Sequence, residues 1–529
     1  LTGDCEFDAV TVSSGDRIDI NGQRAEFSGT LDVNGTIYNT AGSSSVKGQI
    51  WGNAIQTTGS NNAAHLDLIS DGGYFDADTS THNTIFMRSG THTIGGTRDW
   101  GPTPLIVGGT TNFSSTNTWG DITIATGGTF TGNDEIITCE GDFTTSGGLI
   151  GKSALNLSGD SPNEVTGSDN LDEVATTDDF TVEAWFKAPS GSGYRGIFSR
   201  GTGWDAGNIY LYLDGDGKVL VSAKDLNGGS GVTLTSPTDG FDDAKWHHAA
   251  TTYDRAAEEF KLYVDGKLVV EASHDEAIVT QSNGFKIGDR SGQNFEGNIG
   301  RVSIWKSALS EAHIRAMMFQ DWTTMAAADV LTDSDAVGWW QFDEGTSTAV
   351  VDSSTSNGTN SGTLDVASWA GAGTFTADTS GCTLVLTGTT KKINYLDGET
   401  VRELTINGTY ALNGVNTGSA GLYAEDDVTF GASGTLVHTS NEALRLSNAF
   451  VSNSGTLTFG APATNIAGLE KLKFEHSSGT ISLPEVTTQN IALGISGGTV
   501  QATGDITVTT ELEVKSGCTF TSNGNDITA

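Results

Sequence analysis

Residues Gly120 to Phe143 read GDITIATGGTFTGNDEIITCEGDF, short runs in which apolar and polar residues alternate, each run closed by Gly or Asn. Alternation at period two marks a strand with one buried face, and the Gly-Gly and Gly-Asn steps between runs are turn chemistry. The same pattern recurs at both extremes of the chain. Residues 1 to 22 read LTGDCEFDAVTVSSGDRIDING, and residues 502 to 529 read ATGDITVTTELEVKSGCTFTSNGNDITA. A further echo lies 300 positions apart, where Gly73 to Ser80 (GYFDADTS) matches Gly373 to Ser380 (GTFTADTS). Regions 1–152 and 369–529 are therefore read as variants of one Gly-rich β-repeat. A repeat this short cannot bury an apolar face alone, so its copies are expected to stack into a β-solenoid or β-helix-like arm. Two independent β-sandwiches stay open as the alternative.

Composition agrees with an all-β reading. The 529 residues include 70 Gly and only 7 Pro, with Thr, Ser, Val and Ile spread throughout, which favours many short strands punctuated by turns. Asp and Glu number 65 against 27 Lys and Arg, a net charge of −38. Such a field repels phosphate backbones and anionic bilayers, which argues against nucleic acid as a partner. No apolar run reaches the roughly 18 residues of a membrane span. Cys5, Cys139, Cys382 and Cys518 are far apart and form no CxxC or Cys/His cluster, so they read as small buried residues, with a Cys5–Cys139 or Cys382–Cys518 bridge left open. The chain starts at Leu1 without Met, as expected of a processed or excerpted product. Joining its end to its start reproduces the internal repeat, so head-to-tail stacking of copies is expected.

The repeat stops near Lys152. From Ala154 the chain reads ALNLSGDSPNEV, then DDFTVEAWFKAPSGSGYRGIFSRG, NIYLYLDGDGKVLVSA, DAKWHHAATTYDRAAEEFKLYVDGKLV, FKIGDR and FEGNIGRVSIWKSALSEAHIRAMM. These are strands of 5 to 8 residues, with Asp-Gly hairpin turns expected at Asp214 and Asp265. One short helix is expected from Ser310 to Met318, capped by the Ser310 side chain and buried along Ile314, Met317 and Met318.

Several of these phrases resemble the laminin-G-like and pentraxin group of concanavalin A-like jelly rolls. The resemblance rests on FTVEAWFKA (180–188), KWHHAATTYD (245–254), KLYVDGKLV (261–269) and NFEGNIGRVSIWKSALSEAHI (294–314), in that order, and covers roughly a third of the chain. It implies an antiparallel two-sheet jelly roll from about 153 to about 345. The tail GWWQFDEGTSTAVVDSSTSNGTNSGTL (338–364) either completes a strand of that domain or leads back to the scaffold, so the domain with this accessory segment is set at 153–368.

The resemblance also implies a site. Pentraxin calcium ligands map onto Asp205 and Asn208 in one loop and onto Asp289, Gln293 and Asn294 in another, and oxygen donors from two loops suit a hard cation. This chain departs from the pentraxin pattern by having one acid in the second loop, with Arg290 beside it. Tyr194, Trp204 and Phe295 lie in or beside those loops, where aromatic rings stack on sugars. Trp185, Trp305 and Trp340 alternate within strands and read as core. His247 and His248 follow Trp246 in a strand and must point to opposite faces, so they do not form one site. Asp214 and Asp216 read as a hairpin turn, and the Asn-x-Ser/Thr strings at Asn34, Asn112, Asn156, Asn357 and Asn407 as turns or, in a secretory eukaryote, glycan acceptors.

No GxSxG, P-loop, HExxH or dinucleotide motif is present, and nothing selects a catalytic carboxylate pair. The expectation is a non-enzymatic structural protein of a virion surface (fibre, spike or capsid decoration) or an extracellular surface. Its jelly roll would contact glycans, calcium would be its cation, and copies of itself or other virion proteins would be its partners. A bacterial filament subunit or adhesin is the first alternative and a polysaccharide-degrading tailspike the second.

Overall fold

The computed structural model spans residues 1–529. The description rests on residues 1–41, 47–57, 61–62, 65–77, 82–201 (save 134), 206–224, 231–327 (save 281), 335–354 (save 346–347), 360–371 (save 367), 374–376, 383–389 and 499–529 (save 503 and 515), and on the strands between 391 and 493. Cys382 lies outside the described residues. The two flanks form one β-solenoid. The rungs present three faces, a long strand such as Arg24–Val33 or Gly48–Thr57 covering two of them, and strands pair in parallel with their counterparts in the next rung. On the first face Leu105–Val107 pairs with Ile122–Ala125, which pairs with Phe143–Gly147. The second face carries Thr110–Phe113 on Thr129–Thr131, and the third Asn117–Trp119 on Ile136–Cys139.

Parallel in-register stacking places like on like. Ile50, Leu68, Ile85, Leu105, Ile122, Phe143 and Ile393 form one continuous inward column, all essentially buried. On the third face the Trp100 and Trp119 rings stack at 4.5 Å. The recurrent Gly-Asp step has a role in this stack. Asp4 accepts a hydrogen bond from the Arg24 N–H (2.8 Å), Asp121 from the Asp142 N–H (2.7 Å), Asp142 from the Lys392 N–H (2.8 Å) and Asp505 from the Asp526 N–H (3.0 Å). Each carboxylate thus satisfies a backbone donor one rung away, a donor that would otherwise be orphaned at the strand start. Cys5, Cys139 and Cys518 are free thiols, and the buried Cys139 donates to the Gly120 carbonyl at 3.2 Å. A Cys5–Cys139 bridge is therefore absent.

The insertion leaves and re-enters within a single rung. Phe143–Gly147 supplies that rung's first face. The chain then departs, and Thr374–Thr376 returns as the second face on Thr129–Thr131, with Phe375 opposite Phe130. Thr383–Leu386 follows as the third face on Ile136–Cys139, and Lys391–Tyr395 closes onto Phe143–Gly147 to start the next rung. The solenoid register runs on as if nothing intervened.

The inserted module is an antiparallel sandwich. Its first sheet runs Leu155–Ser158, Glu296–Trp305, Phe180–Lys187, Trp246–Asp254, Glu259–Val264, Lys267–Ser273, with Ala336–Trp340 also on Glu296–Trp305. The second runs Val232–Thr235, Val219–Ala223, Ile209–Leu213, Arg195–Arg200, Phe285–Ile287, Val165–Gly167, Gly362–Leu364, Ala349–Val350. The Trp339–Trp340 segment and the strands after it thus complete both sheets, and Leu155 bridges Trp369 at the module's base. Val182, Phe186, Phe198, Leu211, Tyr253 and Trp340 fill the core between the sheets. Asp265 and Gly266, both at positive φ (51° and 74°), make the expected hairpin turn. Helix Glu311–Met317 starts where expected, its Ser310 hydroxyl accepting the His313 N–H at 3.2 Å. A further helix, Trp322–Ala327, was not anticipated. Among the described residues no helix is long and apolar enough to cross a membrane.

The module is docked on the rod. On the first solenoid face Trp51, Ile69, Phe86 and Ile106 form a column pointing outward, with Glu26 before it and Thr123 after it in the same register. This apolar stripe packs against Trp185 and Trp246 from the outer face of the module's first sheet, in one buried cluster with Leu149, Met318 and Ala370. Phe86 meets Trp185 edge-on at 5.8 Å. Charged contacts rim the patch. Arg88 chelates Asp71 through two bonds of 2.7 Å and reaches Asp265 across the joint at 2.9 Å. Arg315 reaches Asp4 at 3.0 Å, Lys267 pairs with Glu6, and Lys187 donates to the Thr126 carbonyl. Gly266, at the hairpin tip, lets the backbone approach Gln49 and Met318, where a Cβ would lie 2.8 Å from the Gln49 side-chain oxygen.

Docking is expected to rest on the outward column. Phe86→Asp should release the module while both β cores stay folded, seen as a larger radius of gyration in small-angle scattering and new proteolytic cuts at 147–153 or 365–371. An unchanged radius and cleavage pattern would show that the column does not hold the module.

Candidate functional site

Of the described loops, those that cluster beside the second sheet bring most of the expected residues together. Gly191–Arg195 and Gly292–Asn294, with Gly159 and Glu296, line an open cleft of 570 Å³. Gly193 (φ 84°) and Gly292 (φ 84°) border open space, so glycine here keeps the loops both turned and low-walled. Tyr194 stands 48% exposed at the edge. Behind it Tyr210 and Tyr212 project from Ile209–Leu213 to the side opposite the core, Leu211 and Leu213 facing inward. The Arg290 guanidinium lies over Tyr212 at 4.0 Å, and within 5.1 Å of the Tyr194 ring and 5.3 Å of the Tyr210 ring. Arg290 also donates to the Gln293 side chain at 2.5 Å. The neighbouring wall is fixed by Arg195, which donates to Asp242 at 2.9 Å and to the Pro189 carbonyl at 2.7 Å. The result is a preorganised cleft lined by an exposed ring, the Gln293 and Asn294 amides and Arg195, with the buried Arg290 guanidinium bracing the Tyr194 ring, the mixture that orients a polar ligand.

The sequence named Tyr194, Gln293 and Asn294 here, and the structure puts all three on the cleft. It missed Arg290, Arg195, Tyr210 and Tyr212. The alternation of Tyr210 and Tyr212 with Leu211 and Leu213 was the available signal, since two aromatics on the non-core face need a partner. Phe295 is corrected: it is fully buried, edge-on to Phe186 at 6.4 Å, and is a core residue. Trp204 and Asp205 lie outside the described residues.

The expected calcium ligands do not assemble into one cation site among the described residues. Asn208 is buried at the far end of its strand, donating to the Tyr210 hydroxyl at 2.6 Å. The Asp289 loop sits by Gly196, opposite Tyr212, about 13 Å further along at ~3.3 Å per residue. Asp289 is itself buried, bonded to the Gly292 N–H at 2.8 Å and to Lys286 at 3.0 Å, while Lys286 also reaches Glu164 at 2.9 Å and Asn294 donates to Glu164 at 3.1 Å. An ammonium thus already occupies the space between the two carboxylates. Burial opposes its charge, but the Glu164 and Asp289 bonds outweigh that and raise its pKa.

Another charged group of the module is sealed. Glu183 is fully buried and accepts from Arg301 (2.8 Å), Ser303 (2.8 Å) and, depending on tautomer, His248 (3.1 Å). Arg301 further donates to the Met317 and Gln320 carbonyls and lies over the Trp339 ring at 4.5 Å. These bonds pin the helical segment to the first sheet, with no opening through which a substrate could enter. His247 points the other way, to Asp265 and Asp243 (2.9 and 3.1 Å), as the strand alternation required. Burial would push the Glu183 carboxyl up; Arg301, His248 and Ser303 overcome it and hold it down at about 2.

Comparison with known proteins covers the module. Residues 159–315 match the model of the concanavalin A-like lectin/glucanases superfamily. No curated protein matches. Among solved structures, the CBM40 of the Ruminococcus gnavus IT-sialidase, bound to α2,3 sialyllactose, aligns at 21% identity with a TM-score of 0.26, over 32% of this chain and 98% of that one. A SAP-like pentraxin from Limulus polyphemus aligns at 15% identity and 0.24, over 32% and 81%. The mouse laminin α1 chain domains LG4-5 align at 16% and 0.25, over 32% and 45%.

Two outcomes follow from these charge arrangements. Millimolar calcium is expected to leave the melting temperature of the wild type unchanged and to raise that of Lys286→Met, which frees two carboxylates; a rise in the wild type would restore the cation site. Glu183→Gln is expected to cost about 3–5 kcal/mol near neutral pH by leaving Arg301 unpaired. Because the Glu183 pKa is depressed, its contribution is complete above pH ~4.5 and fades toward pH 2. The stability gap between wild type and variant, measured by denaturant titration, should therefore shrink over that window.

Proposed function

We propose that the chain is a non-catalytic, extracellular surface protein, a structural element of a virion fibre, spike or decoration, whose solenoid holds a glycan-contacting jelly roll in a fixed orientation. The observation that carries the binding part is the cleft at Tyr194, where an exposed ring stands over Arg290 beside Gln293 and Asn294. A ring gives a sugar's C–H face somewhere to stack, and amide and guanidinium groups meet its hydroxyls in both hydrogen-bonding senses. The superfamily match at 159–315 supports a lectin-like reading of the same module.

The structural role is supported by the docking. A binding domain on a flexible tether has no need of an apolar joint ringed by Arg88, Arg315, Lys187 and Lys267, whereas a rod that presents its domain at a set angle does. Assembly with further copies through the repeat arms belongs to this reading and rests on the likeness among the repeats. Binding without turnover belongs to this reading, and the buried state of the Glu183 group supports it.

On an array of host-surface glycans the intact chain is expected to bind a subset without releasing reducing sugar, and Tyr194→Ala to weaken that binding about tenfold, ~1.4 kcal/mol. Equal binding by the variant would remove the cleft from the reading, release of reducing sugar would turn it toward a tailspike, and antibody labelling of cell filaments instead of particles would turn it toward a filament subunit.

A further inference from the structure

The joint between rod and module encloses a second pocket that neither has alone. Its volume is 220 Å³, below the range of about 300–1,000 Å³ typical of drug-sized ligands and suited to a single sugar ring. The floor is solenoid: Thr84, Ile106 and Asp121 come from successive rungs, and Lys47 lies two rungs before Thr84, beyond the Leu66–Ser70 rung. The roof is the segment Phe319–Asp321 that follows helix Glu311–Met317, and Leu149 closes one side.

One of its polar groups is buried without a partner, and a second, Lys47, has only the nearby charge of Asp67. Lys47 is 1% exposed and has no hydrogen bond or salt bridge to any described residue. Burial lowers its pKa, against the nearby charge of Asp67. Gln320 is 8% exposed, and its amide oxygen is buried with no donor. Native interiors avoid both conditions unless something outside the chain completes them. Lys47 needs an acceptor and Gln320 a donor. Asp121 and Asp321 add carboxylate acceptors, so an anion is disfavoured, and the Ile106, Leu149 and Phe319 walls suit C–H groups. A hydroxyl both donates and accepts, which makes a polyhydroxylated neutral molecule the common solution. Asp121, Thr123, Ile150 and Asp321 also line an adjoining groove of 300 Å³, so a chain could continue out of the pocket. We propose that this interdomain cleft is a neutral-saccharide site, separate from the cleft at Tyr194, and present only while the module is docked.

The test uses the full chain carrying Tyr194→Ala, which weakens the other cleft, titrated calorimetrically with maltotetraose, cellotetraose and laminaritetraose, and with trigalacturonate as the anionic counterpart. At least one neutral tetrasaccharide is expected to bind, and Gln320→Met and Lys47→Met each to weaken it tenfold or more. Gln320→Met should not lower the melting temperature, since it removes an unpartnered polar group, whereas Lys47→Met leaves the buried Asp67 without its neighbouring cation and is read on binding alone. Asp321→Asn, at the half-exposed mouth, is the second probe should a buried variant fail to fold, with a weakening again expected. No binding by any neutral tetrasaccharide, binding indifferent to all three variants, or tighter binding of trigalacturonate would overturn the proposal.

Discussion

Parallel in-register stacking governs this molecule. Once each rung lies on the next with Ile85 over Leu68 and Leu105 over Ile85, whatever occupies a position is repeated as a column along the rod. Inward columns make the core. The outward column Trp51–Ile69–Phe86–Ile106 makes a surface that water would meet unfavourably, and Trp185 and Trp246 on the module present the complementary surface. Covering one with the other determines where the module sits, which of its sheets faces the rod, which loops stay free, and where the cleft at Lys47 and Gln320 forms.

Cations are scarce in a chain of charge −38, and their placement shows what they do. Arg88, Arg315, Lys187 and Lys267 cross the joint; Arg301 pins the helical segment; Lys286 separates two buried carboxylates. Burial strengthens the Arg88, Arg301 and Lys286 contacts relative to an exposed pair such as Lys267–Glu6 and makes loss of one partner costly. The acidic excess is left to the surface and to the Asp column that ties rung to rung.

Much of this was legible in the sequence. The solenoid followed from Gly120–Phe143 and its echoes, and the matched phrases at 73 and 373 turn out to supply the same face of the rod, as Gly73–Ala77 and Thr374–Thr376. The jelly roll followed from its phrases. The docking face did not, because period-two reasoning assigns every second residue to solvent. The runs IW at 50–51, IFM at 85–87 and LIV at 105–107 break that rule, and their outward members are the joint. Phe295 was misplaced because loop position was taken for exposure, whereas the chain turns inward there. Lys286 was overlooked since an alternating strand gives no hint that an ammonium will lie between carboxylates from two other segments. Arg290 was noted only as a departure from a pattern, while its stacking on three tyrosines depends on strand neighbours remote in sequence.

Re-entry of the chain into the rung it left has a bearing on the order of folding. Strand Phe143–Gly147 has its partner below from the outset, but its partner above, Lys391–Tyr395, and the rest of its own rung emerge only after the whole module. At about 5–20 residues per second of synthesis, that interval is on the order of ten seconds or more. Throughout it the half-built rod presents a bare strand edge of the kind that recruits stray chains. The module folds in the same interval and can settle on the outward column, so it is placed to shield the unfinished rod until the missing strands arrive.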